Sequence, residues 1–165
     1  LQHITKIVLD YQSRTSASLI KILFETHWKQ QVEWIDTSTD FRNQIKDTTA
    51  ALVIGDRCLE YRNSVDCVYD LGEAWYDFTG LPFVFAAWVS NKKLPADFIT
   101  AFSEANKLGV SAIEKVALQN KLSSYDSLTY FTKNIKYELN DKMMEGLKLF
   151  LSYLEGTRQI KNVGD

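Results

Sequence analysis

The stretch that decides the fold is Ile4–Trp28, ITKIVLDYQSRTSASLIKILFETHW. Ile4-Thr5-Lys6-Ile7 alternates apolar and polar, and Ile7-Val8-Leu9 is continuously apolar before Asp10, the pattern of a mostly buried strand. A polar, hydroxyl-rich cluster follows, Tyr11 to Ser16. Leu19, Ile20, Leu23, Phe24 and Trp28 then recur at helical spacing and predict a helix over about residues 15–29, with Ser13 or Thr15 as N-cap. A strand, polar loop and helix start in this order point free backbone N–H groups at whatever lies above them. The helix dipole adds partial positive charge there, and Arg14 adds a full one. A carboxylate or phosphate suits such a place; capping of the helix is the plainer use of the same hydroxyls.

Outward from this unit, Gln31–Asp36 alternates as a second strand. Phe41 and Ile45 within polar residues 37–47 predict a short helix capped by Ser38 or Thr39. Ala50–Ile54 reads as a third strand, buried on both faces by its continuous apolar character. Strand, helix, strand, helix, strand at these lengths predicts βαβ units and a mixed, mainly parallel sheet, an α/β fold. Gly55-Asp56-Arg57 then stands at a strand end, where α/β proteins hold ligands. Residues 61–68 read as irregular. Asp70 caps a helix through Phe78, Gly80 ends it and Pro82 forbids its continuation. Phe83–Val89 reads as a long apolar strand that needs cover on both faces.

After Asn91 the pattern becomes helical only. Pro95 opens a helix with Phe98, Ile99, Phe102, Ala105 and Leu108. Gly109 bends it, and Ile113–Leu118 continues it. Ser123-Ser124-Tyr125-Asp126 caps a further helix with Leu128, Phe131 and Ile135 on one face. A last helix runs over 141–154 with Met143, Leu147, Phe150, Leu151 and Leu154 inward, and Gly156 onward is a solvated tail. This is more apolar surface than one small sheet covers, which predicts contact with another domain.

The chain of 165 residues is 45% hydrophobic and 13% aromatic, which describes a globular domain with a sizeable core. Its formal net charge of −2 gives no general attraction to nucleic acid or anionic membrane, and no apolar run reaches membrane-spanning length. Cys58 and Cys67 lack the company of a metal site and read as ordinary thiols of a reducing compartment. His3 and His27 have no partner pattern for a triad or a metal. No GxGxxG, Walker, HExxH or GxSxG sequence occurs. Asp56, Asp70 and Glu73 could move protons as paired groups; capping and anchoring Arg57 or backbone amides are the plainer roles. Trp75, Tyr76, Phe78, Phe83, Phe85 and Trp88 could line a cleft, though core packing is their default. The residues alone describe an α/β ligand-binding lobe with an anion-friendly helix start, equally a binding module or half of an enzyme.

Four segments in order carry a resemblance to a family: Leu9-Asp10-Tyr11-Gln12-Ser13-Arg14-Thr15-Ser16, Ala51-Leu52-Val53-Ile54-Gly55-Asp56-Arg57, Tyr69-Asp70-Leu71-Gly72-Glu73-Ala74-Trp75, and Thr79 through Trp88. They resemble the chorismate dehydratases, the first enzymes of the futalosine route to menaquinone. The resemblance implies a periplasmic-binding-protein-like (type II) lobe followed by C-terminal helices, in a cytoplasmic lyase. The reaction implied is loss of water from chorismate to 3-[(1-carboxyvinyl)oxy]benzoate, with neither metal nor organic cofactor. A sister enzyme of the pathway uses a histidine where this chain has Ile54-Gly55-Asp56, which favours the dehydratase.

The family's first lobe carries a Tyr-Leu-Asn-Thr-like motif that has no counterpart here. With Leu1 in first place, the expectation is a chain lacking that lobe and its catalytic groups, inactive alone. Residues 1–90 would form the ligand-binding lobe with its crossover strands, and 91–165 a helical segment packing on the absent lobe. Thr15 and Ser16 match the family's helix-start site for a substrate carboxylate; Ser13 and Arg14 are second choices that shape the loop. Gly55 lets backbone approach the ligand, with Asp56 close by. The expected partner is a small carboxylate, chorismate or a relative, and the oligomeric state stays open, a homodimer included. The alternative is a non-catalytic solute-binding or sensing domain on the same fold.

Overall fold

β1 (Lys6–Leu9) is the central strand of a three-stranded sheet, flanked by β2 (Glu33–Asp36) and β3 (Thr49–Ala51) in the order β2-β1-β3. Both pairings are parallel, with Ile7 opposite Trp34 on one side and Ala50 on the other. The computed structural model describes residues 1–120 and 125–162. The strand–helix alternation read from the sequence thus yields the α/β class. β3 differs from expectation. It ends at Ala51, and of the run to Ile54 only Leu52 is buried, its N–H reaching the Val8 carbonyl at 2.8 Å. As an edge strand β3 is covered less than β1, so an apolar sequence did not mean burial on both faces.

α1 (Arg14–Ile22) follows the loop after β1 and continues as a wider π turn over Leu23–His27. Ser13 is the N-cap, its hydroxyl accepting the Ser16 N–H. The helix buries two faces. Ile20 and Phe24 join Ile7, Leu9 and Leu52 under the sheet, while Leu19, Ile22 and Leu23 join Trp75 and Phe150. Trp75 comes from α3 (Leu71–Thr79), where the expected cap and stop are present. Asp70 accepts the Gly72 and Glu73 N–H groups, and Gly80 closes the helix at φ 70. Phe150 comes from α7 (Asp141–Asn162). Of the residues expected inward on this last helix, Leu151 is exposed, and the helix runs beyond Gly156 rather than ending in a tail there.

Other expectations change. In place of the short helix expected over 37–47 there is a 3₁₀ turn over Arg42–Gln44, and Asp40, not Ser38 or Thr39, accepts the Arg42 N–H. The Arg42 guanidinium beside it holds the Asp40 carboxyl at about 2. A short helix, α2 (Asp56–Tyr61), stands where no element was expected. Phe83–Val89 is not a strand. A strand needs a neighbour to take its N–H and C=O groups, and among the described residues this segment pairs with no strand. Phe83 instead packs on Phe150 with ring centroids 4.9 Å apart, while Trp88 is 81% exposed.

The chain divides into two compact units, Leu1–Phe85 with Asn140–Asp165, and Ala86–Leu139. α7 belongs to the first unit, where Phe150 fills the space beside Trp75. The second unit holds α4 (Ala96–Ser111), α5 (Ile113–Gln119) and α6 (Ser127–Thr129), the last continuing as a π turn over Tyr130–Asn134. α4 passes straight through Gly109 and breaks at Ala112, and Pro95 stands one position before its first residue. Asp126 caps α6 by accepting the Thr129 N–H; Ser123 and Ser124, expected in that cap, lie outside the described residues. α4 buries no residue, and Phe98, Ile99 and Leu108 are exposed on it. Among the described residues no helix is long and apolar enough to cross a membrane.

Gly146 of α7 meets the Pro82 backbone closely: a Cβ there would collide with the Pro82 carbonyl oxygen. Gly146→Ala is expected to cost about 2–3 kcal/mol in urea unfolding, although alanine is the better helix former, because backbone on both sides must move.

Candidate functional site

Parallel strands end at the same edge of a sheet, so the loops after β1 and β3 lie together at their C-terminal ends. The group that joins them is Asp10. Its side chain is fully buried at the end of β1. One oxygen accepts the Gln12 N–H at 3.0 Å, the other the Ile54 N–H at 3.2 Å, and both accept from Arg57 Nη2 at 3.1 and 2.8 Å. A carboxylate without water needs such a set of donors, and here they come from both loops. Arg57 Nη2 also donates to Gln12 Oε1 at 2.9 Å, and the guanidinium carbon lies over the Tyr11 ring, 5.6 Å from its centre. On the other side of β1, the Thr37 hydroxyl donates to the Leu9 carbonyl at 2.7 Å.

The residues singled out from the sequence fall into two groups around this ion pair. Ser13 donates to Ser16 Oγ at 2.9 Å and accepts the Ser16 N–H at 3.0 Å. Ser16 is buried, so its amide is taken by the cap and its hydroxyl is engaged with Ser13. In a helix the first N–H groups have no carbonyl partner. Those of Arg14 and Thr15 are left open by this cap. The first turn of α1 holds no acidic side chain, Arg14 is exposed, and among the described residues the half-buried Thr15 hydroxyl has no partner. Gly55 adopts φ 68 before α2 and is exposed, as is Asp56 in the first turn. Arg57 brings that loop to Asp10; the anchor of Arg57 is Asp10, not Asp56 or Glu73. Sequence reading missed Asp10. The available signal was an aspartate closing the central strand and an arginine in the turn after the third.

Several of the remaining candidates cap a helix or pack against aromatic rings. Asp70 caps α3, and His27 lies between aromatic rings, 5.2 Å from Phe78 and 5.9 Å from Trp28. Trp75, Phe78 and Phe83 form one aromatic cluster in the first unit, with Trp75 fully buried. Cys58 and Cys67 are free. Burial, and then the Asp70 charge, push the Cys58 thiol up from its ordinary value.

Two comparisons bear on the chain. The family described as menaquinone biosynthesis matches residues 1–156. A chorismate dehydratase of Thermus thermophilus is 26% identical over an alignment that covers 93% of this chain. The chain spans 64% of that relative's length.

Two outcomes follow from the geometry. Asp10→Ala strands the Arg57 guanidinium and two amides, and is expected to cost about 2–4 kcal/mol in chemical unfolding, more than any change at exposed Asp56. At pH 8.5, a thiol reagent is expected to label exposed Cys67 well before Cys58, followed by mass spectrometry.

Proposed function

The chain belongs to the menaquinone biosynthesis family, and from that premise we propose that it is the ligand-binding lobe of a chorismate dehydratase, a carbon–oxygen lyase of the futalosine route. In this reading the lobe is of the periplasmic-binding-protein type and works in the cytoplasm. The reaction removes a ring hydrogen and a ring hydroxyl from chorismate as water, and 3-[(1-carboxyvinyl)oxy]benzoate remains. Aromatisation of the ring drives it. The observation that carries the reading is the first turn of α1. It offers the Arg14 and Thr15 amides, the Thr15 hydroxyl and the Arg14 charge, with no acidic side chain of its own in the turn. Chorismate has two carboxylates, and a helix start of this kind suits one of them.

Within this reading Thr15 makes the direct contact. Ser13 and Ser16 hold the loop that presents it, and Gly55 and Asp56 edge the cleft. The proton-abstracting group belongs to the other lobe, which would also cover Phe83–Val89 and the exposed apolar residues of α4. A second reading draws on the same turn: amides, hydroxyls and a cation bind a small carboxylate without transforming it, as a solute-binding or sensing domain does.

Incubation of the full-length protein, carrying both lobes, with chorismate, followed by chromatography for the carboxyvinyloxy-benzoate, separates the two. Product is expected; an intact, folded protein that forms none overturns the lyase reading. Thr15→Val keeps the shape and removes the hydroxyl. It is expected to weaken chorismate binding about tenfold in a calorimetric titration, and unchanged affinity would remove Thr15 from the site.

A further inference from the structure

We propose that Arg57 is a positioning residue for carboxylate binding at the start of α1, acting through Asp10 and Gln12 and not by touching the ligand; this rests on the reading of that helix start given above. The loop from Tyr11 to Ser13 presents α1, and Tyr11 and Gln12 in it are exposed. Apolar packing therefore does little to hold the loop. Its fixed points are polar: the Gln12 N–H on Asp10 and the Gln12 side chain on Arg57. Arg57 itself sits on α2, and Asp10 takes the Ile54 N–H from the same connection. One guanidinium thus braces the loop before α1 against the loop before α2.

The Arg57 side chain is 25% exposed while that of Asp10 is fully buried. An ion pair of this kind contributes little net stability compared with apolar side chains of similar volume, because both charges lose water. What it supplies is geometry. Nη2 alone meets both Asp10 oxygens and Gln12 Oε1, and the planar group lies against Tyr11, which limits how the loop can turn. A ligand held by two adjacent amides and one hydroxyl is sensitive to such placement, since a shift of about 1 Å weakens every bond together.

The test uses the full-length protein, carrying both lobes, and compares the wild type with Arg57→Met, which keeps length and loses every donor, and with Gln12→Ala, which removes the brace at an exposed position and leaves the buried carboxylate intact. Chorismate affinity, product formation, amide resonances and thermal unfolding are measured for each. Arg57→Met is expected to weaken chorismate binding about tenfold or more. Gln12→Ala is expected to lose affinity in the same direction by less, with Tm near the wild-type value. Both are expected to move the Thr15 and Ser16 amide resonances, and to raise KM more than they lower kcat. Variants with wild-type affinity and unmoved Thr15 and Ser16 amides would overturn the proposal, even if their Tm fell. Should Arg57→Met not fold, Gln12→Ala decides alone. A wild type that binds chorismate without forming product overturns the lyase reading, and the affinities still decide the positioning. A wild type that binds no chorismate overturns both.

Discussion

Helix α1 carries apolar residues around much of its circumference, and the arrangement of the first unit follows from where they must go. Ile20 and Phe24 close one side of the sheet against Ile7, Leu9 and Leu52. Leu19, Ile22 and Leu23 face away from that cluster and need a second cover, which Trp75 of α3 and Phe150 of α7 provide. Each such side chain stabilises the fold by about 1.5–3 kcal/mol when buried. A helix buried on two faces therefore draws in elements from far along the chain. The residues between α3 and α7 can form a separate unit without disturbing this core.

The same strand that seats α1 also sets the polar end of the first unit. β1 is central and buried, so the residue that closes it is buried too. Had that residue been apolar, the loops beyond it would have been tied only to themselves. Asp10 instead collects donors from the β1–α1 loop, the β3–α2 connection and Arg57. A buried carboxylate demands these partners, and the demand brings the start of α1 and the Gly55–Asp56 turn to one edge. Ser13 does a smaller version of the same work by taking the Ser16 amide.

The second unit is organised differently. Phe98 and Phe102 stack within α4, Trp88 meets Phe102 edge-on, and Asp126 caps α6, but α4 buries no residue of its own. Short helices with local contacts satisfy their backbones without covering their apolar faces. Phe83–Val89 illustrates the same limit in extended chain. Its sequence has the composition of an interior strand, yet a strand exists only where another offers hydrogen-bond partners.

Local pattern was enough for much of this protein. The βαβ order, the Ser13 and Asp70 caps, the Gly80 stop and the apolar rows of α1 and α7 are written in neighbouring residues, because capping, chain reversal and helical periodicity act within a few positions. The hydroxyl-rich turn at Ser13–Ser16 was equally legible as a helix start. Other features depended on residues far apart. The pairing of Asp10 with Arg57 spans 47 positions, the packing of Gly146 against Pro82 spans 64, and neither partner announces the other. The failure of Phe83–Val89 to become a strand, the exposure of Leu151 and the return of α7 to the first unit were decided by which surfaces found partners. Burial and pairing are properties of the assembled chain, whereas propensity and capping are properties of its segments.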